Sequence, residues 1–141
     1  MDFKNLLVYQ KALVVLEEIR TRILVSSELD RSLKDQLRRA SLSIVLNIAE
    51  GSSRFSPADR KNFFVIARGS AFECAAILDV VSISNNTSFV DIYNQLVEIS
   101  KILYRMVTTL KEQSLHQSVS RKFKLLLLTT ILLFLTMMMR T

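Results

Sequence analysis

Eight basic residues stand between Arg31 and Arg68, against the acids Asp35, Glu50 and Asp59, so that this stretch alone is +5 in a 141-residue chain of net charge +6. Charges that share a surface attract phosphates, and Arg38, Arg39, Arg54, Arg60, Lys61 and Arg68 are therefore the candidates for nucleic-acid contact. Lys61 and Arg68 are seven apart and share a face of one helix, while Arg31, Lys34 and Arg38 form an i, i+3, i+7 stripe on another. The ordinary alternative is surface pairing: Asp35 precedes Arg39 by four residues, and Glu50 precedes Arg54 by the same distance. Neither an aromatic cluster of the RNA-recognition type nor a recognition-helix signature is visible. Contacts should therefore go to phosphates and shape rather than to bases, with affinity falling steeply in salt.

A second constellation, Asn47, Glu50, Arg68 and Glu73, consists of polar residues in apolar helical surroundings. One reading is a functional pocket. The favoured one is an interhelical network in which the Arg68 fork lies between Glu50 and Glu73 and Asn47 satisfies groups across the interface. Hydrolysis by paired carboxylates would also need a nucleophile, metal ligands or an oxyanion site, none of which the sequence displays. His116 is the only histidine, which rules out a His-paired zinc site, and it reads as a surface residue. Cys74 is the only cysteine; it cannot form an intramolecular disulfide and reads as a small core hydrophobe. Gly51 and Gly69, the only glycines, lie 18 apart, which excludes the dinucleotide and phosphate loops built on closely spaced glycines. No metal, no cofactor and no enzymatic activity is expected. With no amino-terminal signal sequence and a single thiol, the expected compartment is the reducing cytoplasm.

The elements that must position these residues are helices, because two Gly and one Pro leave almost no turn chemistry for sheets. Helix one runs over residues 5–25, with Leu6, Leu13, Leu16 and Ile23 on one stripe and Ala12, Val15 and Ile19 beside it. Asp30 or Ser32 caps a second helix that buries Leu33, Leu37, Ala40, Ile44 and Ile48 and stops at Gly51, the glycine supplying the left-handed residue past the end. Ser56-Pro57-Ala58-Asp59 starts a third helix, residues 57–83, with Phe63, Ala67, Ala71, Cys74, Leu78 and Val81 inward. Gly69 inside it implies close approach of helix two. The fourth helix carries Ile92, Leu96, Ile99, Leu103, Met106 and Leu110 at 4-3 spacing, and a second stripe, Phe89, Tyr93, Val97 and Val107, is either a broad core face or a subunit contact. The fold class is all-α: an antiparallel up-down four-helix bundle over residues 1–118, followed by a basic and hydrophobic tail over residues 119–141.

At the junction of helices two and three the pattern becomes specific. Residues 36–51 (QLRRASLSIVLNIAEG), 56–60 (SPADR) and 66–73 (IARGSAFE), with Phe3-Lys4-Asn5-Leu6 and Tyr9-Gln10-Lys11-Ala12 at the start, resemble the four-helix bundle family encoded in intervening sequences of bacterial 23S ribosomal RNA. That family also includes the accessory variability determinant of diversity-generating retroelements. The resemblance covers about residues 3–112, with Asn47, Glu50, Gly51, Gly69 and Glu73 as its signature positions. It implies a ring-like homopentamer without known catalytic residues. Through the accessory proteins it implies a basic surface that binds RNA or DNA and a reverse transcriptase. The leading expectation is a nucleic-acid-binding homo-oligomer; the alternative is an adaptor whose main partner is a protein such as a reverse transcriptase.

The tail follows Arg121, Lys122 and Lys124 with Leu125 to Met139, fifteen residues of which twelve are apolar and three are Thr. Three readings are open: a membrane anchor or membrane-associated segment, a helix packed on the bundle or oligomer, and an extension without selected function. The run rises about 22 Å as a helix, short of the roughly 30 Å of a bilayer's hydrocarbon layer.

Overall fold

The computed structural model describes the chain except residues 1, 28, 86 and 139–141, and the side chains of 2, 84, 85 and 133–138 are likewise outside the description. A short 3-10 turn leads into four α-helices, α1 (Leu7–Arg22), α2 (Arg31–Ser53), α3 (Pro57–Asn85) and α4 (Val90–Met138), with no strand among the described residues. Each helix packs on its neighbours in sequence, and α1 closes the ring on α4. The bundle is antiparallel: Lys11 of α1 pairs with Glu98 of α4, and Arg22, eleven residues further on, pairs with Asp91 at the start of α4.

The helix starts follow from local chemistry. Asp30 caps α2, its carboxylate accepting from the backbone N–H of Ser32 at 2.7 Å and of Leu33 at 3.3 Å. Ser56 caps α3: its hydroxyl accepts from Asp59 N–H at 3.0 Å and donates to the Asp59 carboxylate at 2.7 Å. Both devices satisfy N–H groups that the first turn of a helix leaves unpaired.

The core is a layered seam in which Ile92, Leu96, Ile99 and Leu103 of α4 meet Val15, Ile19, Leu37, Ile44, Ile48, Phe64 and Leu78, each exposed by 1% or less. Burying one such side chain contributes about 1.5–3 kcal/mol, against about 0–1 kcal/mol for an exposed ion pair, so the seam and not the surface charges holds the bundle. On α4 the spacing from Ile92 to Leu110 is inward as expected, with Met106 half-buried.

Two faces turn differently from the sequence expectation. On α1 Val8 is buried and Leu13 is 41% exposed, so the inward face centres on Ala12, Val15 and Ile19. Apolar residues cover so much of this helix that periodicity alone leaves its rotation open. On α3 Phe64, and not Phe63, is the buried ring.

Neither glycine plays the role expected of it. Helix α2 does not stop at Gly51 but continues to Ser53, and Gly51 is buried within it, against Phe64 of α3. Gly69 faces open space: a Cβ there would meet nothing within 4 Å. The close approach of α2 and α3 is thus made at Gly51. Away from it, Ser43 and Ser70 meet across the same interface, hydroxyl to hydroxyl at 2.8 Å.

Helix α4 runs 49 residues, straight past the 118/119 boundary, and carries His116 and tail residues 119–138 as one continuous helix. From Leu115 to Leu132 every described side chain is exposed. The described side chains of the tail do not pack on their own bundle.

Candidate nucleic-acid interface

The six basic candidates do not form one face. Arg38 pairs with Asp35 at 2.6 Å, so the acid takes the residue three positions on and leaves Arg39 exposed without an ion pair. Arg54 pairs with Glu50 and lies over the Phe63 ring, 4.9 Å from its centroid. Arg60, Lys61 and Arg68 are half-buried on α3 and make no ion pair among the described residues.

Arg60 and Arg68 face α4, and there they meet two cations that charge density in the sequence did not single out. Arg68 lines one hollow of about 340 Å³ with Ser100, Lys101, Tyr104 and Arg105, and a second of about 240 Å³ with Phe72, Tyr93 and Lys101. Arg60 lines a third, about 340 Å³, with Arg105, Thr109 and Gln113. The hollows follow one another along the α3/α4 groove, and no carboxylate lines any of them. Four cations, Arg60, Arg68, Lys101 and Arg105, therefore share one groove with no acid to neutralise them.

Two details single out this groove. The Nε atoms of Arg60 and Arg68 are buried with no hydrogen-bond partner among the described residues; a buried donor without a partner costs about 1–3 kcal/mol. Aromatic rings also stand beside the cations. The Arg68 guanidinium lies 4.9 Å from the Phe72 centroid and 5.4 Å from that of Tyr104, and both rings are more than half exposed. The pairing of the two helices brings Phe72 of α3 and Tyr104 of α4 to the same Arg68 guanidinium, while Tyr93 lines the hollow that Phe72 also lines.

The proposed Glu50–Arg68–Glu73 network is not formed. Glu50 engages Arg54, Glu73 is exposed on the outer side of α3, and Arg68 is held by rings. The reason is rotation: Arg68 points toward α4, whereas Glu50 lies on α2, on the other side of α3. Asn47 serves its own helix, donating to the Ser43 carbonyl at 2.8 Å and contacting the Ser43 hydroxyl at 3.1 Å, which in turn meets Ser70. Burial, and secondarily the charge of Glu73, pushes the Cys74 thiol up to about 12, so it stays protonated and packs as a core residue. Among the described residues no group of three or more His, Cys, Asp or Glu gathers to hold a metal ion.

Lys101, Tyr104 and Arg105 carried a weak signal, their i, i+3, i+4 spacing on α4. Only the α3/α4 register shows that they complete a site begun by Arg60 and Arg68.

An antiparallel four-helix bundle with a cationic α3/α4 groove places the chain in the class of small helical-bundle proteins. Within it the chain belongs to the 23S rRNA-intervening sequence protein family, whose model matches residues 4–105. It is similar to a solved structure from Bacteroides thetaiotaomicron, described as a protein of unknown function from the S23 ribosomal protein family. The two are 26% identical, with a TM-score of 0.66, over 72% of this chain and 98% of that one. No match was found among the curated proteins.

Proposed function

We propose that this protein is a non-enzymatic nucleic-acid-binding bundle that takes RNA along the α3/α4 groove. The observation that carries the reading is the cluster of Arg60, Arg68, Lys101 and Arg105 without a carboxylate, bordered by exposed rings. Unneutralised cations at this spacing suit successive phosphates, and Tyr104 and Phe72 offer faces on which unpaired bases stack. Lys61, seven residues before Arg68 on α3, extends the same side of the helix. Arg38 and Arg54 contribute less, because Asp35 and Glu50 already hold them. The lone, buried Cys74 suits a cytoplasmic setting.

Self-association belongs to the same reading. The outer side of α3 exposes Val65, Ile66, Val80 and Ile83 on either side of Gly69, where the backbone is bare. An interior glycine costs about 1 kcal/mol relative to Ala, and none of the described residues packs against it. A second copy approaching α3 there would. The ring-like homopentamer implied by the family resemblance is the assembly we propose, and it would repeat the groove around a common axis.

The test is anisotropy of a labelled RNA across a NaCl series, comparing the natural chain with Arg68→Ala/Lys101→Ala/Arg105→Ala and with Arg38→Ala/Arg39→Ala/Arg54→Ala. The groove variant should bind at least about tenfold more weakly, and its log–log salt slope should be shallower by about 2–3. Affinity that ignores salt, or that survives the groove variant unchanged, overturns the reading and favours a protein partner such as a reverse transcriptase.

A further inference from the structure

The tail of α4 is a separate feature from the groove and is unexplained by it. Leu125, Leu126, Leu127 and Leu128 are each more than half exposed, and at 100° per residue these four positions occupy every side of the helix. Phe123, Ile131 and Leu132 extend the apolar surface above and below. Immediately before it stand Arg121, Lys122 and Lys124, and no Asp or Glu follows Glu112. The described hydroxyls inside the run, those of Thr129 and Thr130, have their needs met within the helix. Thr129 donates to the Leu126 carbonyl at 2.8 Å, and Thr130 donates to the Leu127 carbonyl at 2.8 Å and the Leu126 carbonyl at 3.1 Å.

We infer that this segment inserts end-on into an anionic membrane surface, with the basic collar at the headgroups and the leucines in the acyl chains. A helix that is apolar all round needs an apolar medium on all sides. A second copy of the tail would cover one stripe, leave the others in water, and bring three like charges together at the mouth of the pair. Lipid covers every side, and its anionic headgroups neutralise the collar. Internal satisfaction of the Thr129 and Thr130 hydroxyls lowers the polar cost of leaving water. No helix among the described residues is long and apolar enough to cross a membrane, so the insertion is partial and the bundle stays on the side it started from.

The experiment is flotation of the full chain with phosphatidylcholine vesicles, with and without phosphatidylserine. The natural chain should float with the anionic vesicles. Arg121→Ala/Lys122→Ala/Lys124→Ala should lower partitioning by about a hundredfold, at roughly fivefold per charge. Leu125→Ser/Leu128→Ser/Leu132→Ser should stay at the bottom of the gradient while keeping the melting curve of the natural chain, since all three positions lie outside the core. The inference is overturned if the natural chain does not float, or if the serine variant floats as well. It is equally overturned if the serine substitutions dissociate an oligomer in lipid-free buffer while the natural chain ignores vesicles, which would make a second copy the occupant.

Discussion

Gly51 and Phe64 mark a close approach of α2 and α3: a Cβ on Gly51 would fall 2.7 Å from Phe64 Cε1 and 2.9 Å from its Cδ1, with Phe63 Cβ at 3.0 Å. Phe64 is 1% exposed, so making room for that Cβ means repacking the core or shifting the ring toward the Arg60 hollow that it also lines. A glycine inside a helix is thus retained because a buried ring occupies the space of its missing side chain. Its backbone conformation plays no part.

Alanine at the two glycines should have opposite effects. Gly51→Ala forces an overpacked core and should destabilise by about 1–3 kcal/mol, partly offset by the better helix propensity of Ala. Adding Phe64→Leu should recover part of the loss. Gly69→Ala meets open space, and thermal or urea unfolding should show a neutral or stabilised bundle. If the outer side of α3 is where copies meet, light scattering should find the same Gly69→Ala chain less associated.

The aromatic rings of the groove separate base stacking from charge. Tyr104→Ala should weaken binding of single-stranded RNA by about 1–3 kcal/mol while leaving the salt slope unchanged, because it removes a stacking face and no cation. Lys101→Ala should do the reverse, lowering the slope by about one. Equal loss of affinity for duplex and single-stranded RNA in the tyrosine variant would argue against stacking.

Acid should loosen the α1–α4 contact at a defined point. The Asp91 carboxyl lies below its ordinary value because the Arg22 guanidinium hydrogen-bonds it, and Asp30 is lowered by its own cap bonds to Ser32 and Leu33. A lowered folded value means stability that is present above the ordinary carboxylate range and lost as pH falls through the folded value. Denaturant midpoints followed downward from neutral pH should fall in that acid window. Asp91→Asn, already lacking the charged pair, should show a shallower fall.

Cys74 offers a readout of core integrity. With the thiol pushed up to about 12 and buried, the folded chain should resist iodoacetamide at pH 8 and react promptly once unfolded in guanidinium. The raised value also means that stability present at neutral pH should start to decline once pH passes the ordinary thiol range, where the unfolded chain's thiol ionises first, and go on declining up to about 12. Prompt labelling of the native protein would show that α3 opens locally.

Much of the architecture is legible in the linear chain, because helix starts and periods are short-range properties. Asp30 and Ser56 sit beside the N–H groups they cap, and the Ile92-to-Leu110 spacing declares a buried stripe whatever it packs on. Arg60, Lys61 and Arg68 are likewise visible as a local density of charge. What tertiary structure alone decided is rotation and register. Leu13 turned out and Val8 in because α1 has apolar residues to spare on several sides, and Phe64 rather than Phe63 entered the core because Gly51 made room for it. Arg68 could not reach Glu50, since they project on different sides of α3, and it gained Tyr104, Lys101 and Arg105 from a helix more than thirty residues away. A contact between helices depends on which faces meet and at what height, and packing of the whole bundle sets both.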